Sequence, residues 1–130
     1  MFEPEFRKAS QSIRILVCIQ NPALRKVTIE LLQRQPNLFV EGEGNDFEEV
    51  FESNWDAEVI LFDLDLPSQD LADAASILAE RYPEAQWIVL TSSSAHGFRE
   101  RARSLNAVGF VDKSRISHDL IPEIYKAVRR

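Results

Sequence analysis

Two aspartates, Asp63 and Asp65, follow a run of four apolar residues and precede Pro67. A short apolar run that ends in a turn signal is typical of a strand buried on both faces of a parallel sheet covered by helices. Proline fixes its own backbone and moves the residue before it away from helical geometry, which supports a boundary here. Ligands of open α/β sheets bind beside the carboxyl ends of the strands, so Asp63 is the first functional candidate.

A hydroxyl and an ammonium group follow two later apolar runs. Thr91 ends the run at 87–91, and Lys113 comes two residues after the run at 108–111. Brought to one edge of a sheet, a carboxylate, a hydroxyl and an ammonium can hold one tetrahedral anion, with the carboxylate as nucleophile or metal ligand. Taken singly, each has a simpler explanation in turn chemistry, local backbone bonding or surface charge. Their joint occurrence at strand ends is what favours an anion site.

The elements that would position these groups alternate along the chain. Strands are predicted at 13–19, around 38–40 with Gly42 and Gly44 at the exit, at 59–62, at 87–91 and at 108–111. Helices are predicted from Asn21-Pro22 onward, at 46–52, at 70–82, at 96–105 and from about Asp119, which puts Pro122 in a first turn. Five strand and helix alternations with short connections predict an α/β doubly wound domain, with a five-stranded parallel sheet and helices on both sides.

The first helix shows its inner face in the spacing of its apolar side chains. The stripe expected to face the core consists of Leu24, Val27, Thr28, Leu31 and Leu32. The lone Cys18 lies inside an apolar run and is expected to be a buried, unreactive thiol.

Length, composition and net charge limit the class of protein. A chain of 130 residues with 45% hydrophobic and 28% charged residues fits one globular domain, predicted over 12–130 after an extension at 1–11. The formal charge of −6 argues against binding to nucleic acid or to an anionic membrane surface, which requires a basic footprint. No apolar stretch has the length of a membrane span, and 1–11 lacks a signal-peptide core, so a cytoplasmic location is expected.

Three motifs resemble those of a known family. The stretches ILFDLDLP at 60–67, IVLTS at 88–92 and GFVDKS at 109–114 are similar to the phosphoacceptor, hydroxyl and lysine motifs of response-regulator receiver domains in bacterial two-component systems. The resemblance covers about residues 13–130 and implies the flavodoxin-like (βα)5 receiver fold. It implies that Asp63 takes a phosphoryl group from a histidine kinase and that Thr91 and Lys113 bind it. Phe110 would be the aromatic residue that turns inward on activation.

The first strand departs from the family pattern. Receivers end this strand in an acidic pair that holds Mg²⁺, and the matching positions here are Ile19 and Gln20. Isoleucine cannot ligate a metal and glutamine offers only a neutral oxygen, whereas Mg²⁺ is usually bound through carboxylates. Side chains two apart on an extended backbone point the same way, so Asp63 and Asp65 could form a weaker metal site. The expected cofactor is therefore none, or weakly held Mg²⁺.

Two functional hypotheses remain open. The first is an atypical single-domain receiver, not an enzyme, with impaired Mg²⁺-dependent phosphorylation and a role through protein–protein contact. The second is a functional phosphoacceptor receiver phosphorylated on Asp63 by a histidine kinase. A small hydrolase on the same fold lacks a nucleophile–base pair beyond this edge, and no phosphate-binding glycine loop is present.

The expected partner is a histidine kinase or another signalling protein. The chain ends at Arg130, directly after the last predicted helix, so we expect its signal to pass by docking. The resemblance implies a docking face within 96–130, which could also form a homodimer. Four arginines in this segment are explained equally well as a solvated face or as part of that surface: Arg99, Arg101, Arg103 and Arg115.

Overall fold

The computed structural model describes residues 12–44, 56–63, 76–77, 79–91 and 107–128. The predicted extension at 1–11, the predicted helices at 46–52 and 96–105, and most of the one at 70–82 lie outside these ranges. Asp65 and the arginines at 99, 101 and 103 also lie outside them.

The described strands form one parallel sheet. They are β1 Ile13–Cys18, β2 Leu38–Gly44, β3 Val59–Asp63, β4 Gln86–Thr91 and β5 Gly109–Asp112. Their order is β2-β1-β3-β4-β5, and each neighbouring pair is parallel. Strand β1 lies inside the sheet and β2 forms one edge. The chain then passes to β3 on the other side of β1, so the direction of strand addition reverses between β1 and β3. This confirms the doubly wound α/β prediction, and such a reversal opens a crevice at the carboxyl ends of the strands.

Strands β1 and β3 form where the sequence is almost continuously apolar. Every residue of β3 is buried, as is each of Ile15 to Cys18 in β1. This is the composition required when helices cover both faces of a parallel sheet. The rings of Phe62 and Trp87 lie 5.8 Å apart, centroid to centroid, and both residues are buried. Cys18 is buried as predicted.

Helix α1, Pro22–Gln33, begins where the sequence predicts. Asn21 Oδ1 accepts a hydrogen bond from Leu24 N at 2.9 Å, so the asparagine caps the helix and Pro22 occupies its first position. Thr28 and Leu32 are buried, but Val27 is 54% exposed. The prediction that Val27 faces the core is wrong because the buried stripe centres on Thr28 and Leu32, one helical position away.

Helix α2, Ile116–Val128, begins earlier than predicted. A short 3-10 helix, Lys113–Arg115, leads directly into it, and Pro122 lies inside the helix rather than in its first turn. The predicted start near Asp119 is therefore wrong. Four buried apolar residues at helical spacing stabilise the longer helix although the proline removes one backbone donor: Ile116, Leu120, Ile124 and Ala127.

Strand β2 also extends further than predicted, through both glycines to Gly44. Ile15 pairs with Val40 and Leu16 with Gly42, so Glu41 is an extra residue in the ladder. An edge strand tolerates such a bulge, and glycine is a common residue beside one. The placement of Gly42 at the strand exit is therefore wrong, whereas Gly44 is the last residue of the strand, as predicted.

The core lies between the sheet and the two described helices. Alternate strand residues, including Val17, Leu61 and Leu90, pack with Leu32 of α1 and Leu120 of α2. Before β4, residues 76–77 and 79–81 are helical and Tyr82 is buried, so this helix ends ahead of Pro83 as predicted. No helix in the described part of the chain has the length and apolar character needed to cross a membrane.

Candidate functional site

The strand register brings the three candidate side chains to one edge of the sheet. Asp63, the last residue of β3, pairs with Leu90, so Thr91 lies one residue further along β4. Thr91 in turn pairs with Asp112, so Lys113 comes one residue further along the chain after β5. Since neighbouring strands lie about 4.8 Å apart, these three residues step across the carboxyl edge of three adjacent strands.

Asp63 and Lys113 form a direct ion pair. Lys113 Nζ lies 2.8 Å from Asp63 Oδ1, with the lysine side chain 20% exposed and the aspartate side chain 5% exposed. Strand β4 lies between the strands that carry these residues, so the lysine side chain crosses its end. An ion pair of this length that is largely withdrawn from water is a strong, charge-assisted hydrogen bond. The structure therefore brings together the carboxylate and the ammonium that the sequence predicted to meet.

Thr91 and Phe110 lie on the strands next to this pair. Thr91 is buried at the end of β4, between the strand of Asp63 and the strand leading to Lys113. Phe110 pairs with Val89 and is half-buried. It lines a groove of about 510 Å³ beside β5 and α2, together with Asp112 and Glu123. Phe110 thus lies three residues before Lys113 and borders an open groove, and its role as a switch residue stays a prediction.

Asp112 shapes the turn that carries Lys113. Its Oδ1 accepts hydrogen bonds from Ser114 N at 2.9 Å and Ser114 Oγ at 2.8 Å. These two bonds lower the pKa of Asp112, and the nearby charge of Arg115 lowers it further. The sequence analysis did not identify Asp112 as a site residue. The pattern of an aspartate two residues before a serine, directly after a strand, could have indicated this capped turn.

The carboxyl end of β1 carries an arginine contact that the sequence analysis also missed. Arg25 Nη1 donates to the carbonyl oxygens of Ile19 at 2.8 Å and Gln20 at 3.3 Å. Arg25 Nε contacts Glu43 Oε1 at 3.1 Å, which links this turn to β2. Ile19 is fully buried and Gln20 is exposed. The positions that carry acids in receivers are therefore occupied by one apolar and one neutral residue, and a guanidinium binds their carbonyls.

The described residues do not fit a Mg²⁺ site of the kind the family implies. Among the described residues at the ends of β1 and β3, Asp63 supplies the carboxylate, and its Oδ1 already contacts Lys113. In the described ranges no three side chains of the His, Cys, Asp or Glu type cluster closely enough to hold a metal ion. Asp65 is outside those ranges, so a weak site formed by Asp63 with Asp65, or with Gln20, stays a prediction.

Comparison with curated proteins identifies a relative. No family model matches this chain. The transcriptional regulatory protein PdtaR of Mycobacterium tuberculosis is 32% identical to it over 119 residues, which cover 90% of this chain and 57% of PdtaR. The chain thus spans little more than half the length of this relative.

Comparison with solved structures identifies the fold. The non-phosphorylated receiver domain of the stress response regulator RcsB from Escherichia coli gives a TM-score of 0.80 at 21% identity, covering 91% of this chain and 93% of that one. A chain from the crystal structure of the P1 domain of CheA3 in complex with CheY6 from R. sphaeroides gives 0.77 at 18% identity, covering 92% and 99%. Identities this low support the fold alone. The sequence match to PdtaR and the shared fold agree, and this chain has the receiver-domain fold of response regulators.

Proposed function

We propose that this chain is an atypical receiver in which phosphorylation of Asp63 is impaired and which acts through protein–protein contact. The observation that carries this proposal is the chemistry of the carboxyl end of β1. There Ile19 is buried and Gln20 is neutral, so this strand contributes no carboxylate to a metal site. The proposal makes the chain a binding module rather than an enzyme, acting in the cytoplasm.

The electrostatics of phosphoryl transfer support this proposal. An incoming phosphate and the Asp63 carboxylate repel each other, and the transfer depends on cations that neutralise the developing charge. One pair of unit charges 4 Å apart is worth about 4 kcal/mol at an effective dielectric constant of 20. A deficit of that size corresponds to about a thousandfold in rate. Lys113 supplies one positive charge, which leaves much of this neutralisation unmet without a firmly bound divalent cation.

The resting ion pair raises the demand for a cation at this site, whichever candidate holds. Lys113 Nζ lies on Asp63 Oδ1, an oxygen that would have to attack phosphorus or lie next to the one that does. A carboxylate oxygen held by a charge-assisted hydrogen bond is a weaker nucleophile than a solvated one. The contact must therefore loosen or reorganise before a phosphoryl group can be accepted, and a loosely held metal would not assist.

The second candidate is a functional phosphoacceptor. The observation in its favour is the stepwise placement of Asp63, Thr91 and Lys113 on adjacent strand ends, which is the arrangement one tetrahedral anion requires. In this case Asp63 would carry the acyl phosphate, and Asp65 or Gln20 would support a weak Mg²⁺ site.

Either candidate needs a protein partner. The P1 domain of CheA3 forms a complex with CheY6, and by this analogy we propose a histidine kinase or another signalling protein for this chain. The docking face is proposed within 96–130, of which the described part carries Phe110 and the groove beside α2. The same face could form a homodimer. The net charge of −6 supports a protein partner over nucleic acid or an anionic membrane.

A mass measurement separates the two candidates. The protein and the Asp63→Asn variant are incubated with acetyl phosphate and Mg²⁺, beside a receiver that retains its acidic pair as a positive control. We expect unchanged mass in both proteins while the control gains one phosphoryl group. A single phosphoryl adduct that disappears in Asp63→Asn would instead establish the second candidate. A parallel Mg²⁺ titration followed by tryptophan fluorescence or amide shifts should show no saturable binding at millimolar concentration.

A further inference from the structure

We propose that Asp112 is a positioning residue for Lys113: by capping the turn after β5, it directs the Lys113 ammonium onto Asp63. This inference rests on the proposed importance of Lys113 at the site. The geometry behind it is independent of whether Asp63 is phosphorylated. Nothing in the sequence motifs assigns Asp112 this role.

The first step is the geometry of the turn. Asp112 has extended backbone dihedral angles, φ −71° and ψ 130°, and the next residue starts the 3-10 helix Lys113–Arg115. The chain therefore changes from strand to helix between Asp112 and Lys113. A three-residue 3-10 helix has few hydrogen bonds of its own. The two bonds that Asp112 Oδ1 accepts from Ser114, at 2.9 and 2.8 Å, fix the direction in which Lys113 leaves the strand.

The second step is the distance that the lysine must cross. Strands β3 and β5 are separated by β4, so their axes lie about 9.5 Å apart at two strand spacings. The side chains of Lys113 and Asp63, together with their 2.8 Å contact, bridge that gap. A rotation of the turn moves the lysine Cα, and a side chain that already spans two strands has little length left to compensate.

The third step is electrostatic. The pKa of Asp112 is lowered, first by the bond from the Ser114 backbone and then by that from the Ser114 hydroxyl, while Arg115 adds a smaller effect of the same sign. The cap is therefore a charged acceptor at neutral pH, and its bonds are stronger than those of a neutral one. Asparagine at this position would keep an acceptor oxygen in place with weaker bonds, which makes it the conservative variant.

The test measures the accessibility of individual lysines in the whole chain. The protein is treated briefly with an amine-acylating reagent, and labelling is resolved at each lysine by peptide mass spectrometry. Lys26 on α1 and Lys126, which pairs with Glu123, serve as internal references. In Asp112→Ala we expect labelling of Lys113 to rise about fivefold. Loss of a typical cap shifts the equilibrium between the capped and the open turn by about that factor. Labelling of the two references should stay unchanged.

Two further variants separate positioning from a general loss of structure. Asp112→Asn should recover most of the protection at Lys113, because it retains the acceptor. Ser114→Ala, at an exposed position, removes only the hydroxyl bond and should give a smaller rise even if Asp112→Ala fails to fold. Asp119→Ala is the matched control, since it breaks the Arg115–Asp119 pair in the same region without touching the cap.

Unchanged labelling of Lys113 in both Asp112→Ala and Ser114→Ala would overturn the proposal. An equal rise at all lysines in Ser114→Ala would also overturn it, because the cap would then act on global stability alone. The result is separate from the phosphodonor experiment. Phosphorylation of Asp63 would refute the atypical receiver and leave the labelling pattern as evidence for positioning.

Discussion

The pair of Asp63 and Lys113 offers a direct test of how charge is balanced at the edge of the sheet. We expect Asp63→Asn to destabilise the domain, as should Lys113→Met. The direction depends on the neighbours of Asp63. A carboxylate crowded by other acids is relieved when it is neutralised, but positions 19 and 20 here are isoleucine and glutamine, and the nearest described charge is the Lys113 ammonium.

The magnitude follows from distance and burial. At 2.8 Å and an effective dielectric constant of 20, the gross attraction is about 6 kcal/mol. Burial of the two charges costs several kcal/mol, and removing one partner of a fully buried pair costs about 3–5 kcal/mol. Because the Lys113 side chain is 20% exposed and can be partly solvated, we expect about 2 kcal/mol. For a domain of this size that is a fall in Tm of about 7 °C.

The assay is a double-mutant cycle by urea denaturation with both single variants and the double variant. We expect a coupling energy of at least about 1 kcal/mol between the two residues. The pair of Glu123 and Lys126, 3.6 Å apart with the lysine side chain 74% exposed, is the control and should give a smaller coupling. Asp63→Asn that raises stability would refute the reasoning, because it would mean that like-charge repulsion dominates at Asp63.

Three further predictions follow from single contacts. Gln20→Asp should tighten Mg²⁺ binding at least about tenfold in calorimetry, since it adds a carboxylate ligand, while Gln20→Asn should not; equal binding by both would contradict the assignment of this position. Gly109→Ala should lower the free energy of unfolding by less than about 1 kcal/mol in urea denaturation, because the new Cβ would lie 2.7 Å from Glu123 Oε1, the far end of a flexible side chain. A loss above about 2 kcal/mol would show that the backbone must move. Pro122→Ala should stabilise by about 1–2 kcal/mol, because it restores an amide donor inside α2, and hydrogen exchange should show that amide protected.

The sequence predicted the sheet because its physical requirement is simple. A parallel strand covered on both faces is mostly apolar, which located the runs of β1, β3 and β4, and alternation with helices predicted that the sheet is parallel. The edge strand β2 is less apolar, and the order of the strands came from the structure. The meeting of Asp63 and Lys113 followed from the same reasoning, since both lie at carboxyl ends of strands in one sheet. Their separation of fifty residues in sequence does not matter once the strand order is known.

The errors in prediction have a common cause in tertiary packing. Pro122 indicates a helix start when only local geometry is considered, but burial of Ile116 and Leu120 makes a longer helix more stable. Gly42 indicates a strand end, yet pairing with Leu16 continues through it beyond a bulge. In each case a contact with a distant part of the chain outweighs a local preference.

The contact between Arg25 of α1 and the carboxyl end of β1 could not be predicted from the sequence for a related reason. Arg25 binds the carbonyls of Ile19 and Gln20, and backbone acceptors leave no trace in residue type. The capped turn at Asp112 could be predicted in part. Its local pattern is visible in the sequence, but its link to Asp63 through Lys113 requires the strand order.

Charge balance connects the fold to the proposed function. In the described part of the edge, the carboxylate of Asp63 meets the ammonium of Lys113, so the resting pair is neutral. An acyl phosphate on Asp63 would carry about −1.5 to −2 charges at neutral pH, up to about one more than the carboxylate that it replaces. Under the proposed function, Lys113 supplies one positive charge against it, and the neutral Gln20 adds none. Under the proposed function, the Asp63–Lys113 pair has to reorganise before Asp63 accepts a phosphoryl group. Gln20→Asp should then help only when Mg²⁺ binds with it, because a new carboxylate without the metal adds to the repulsion.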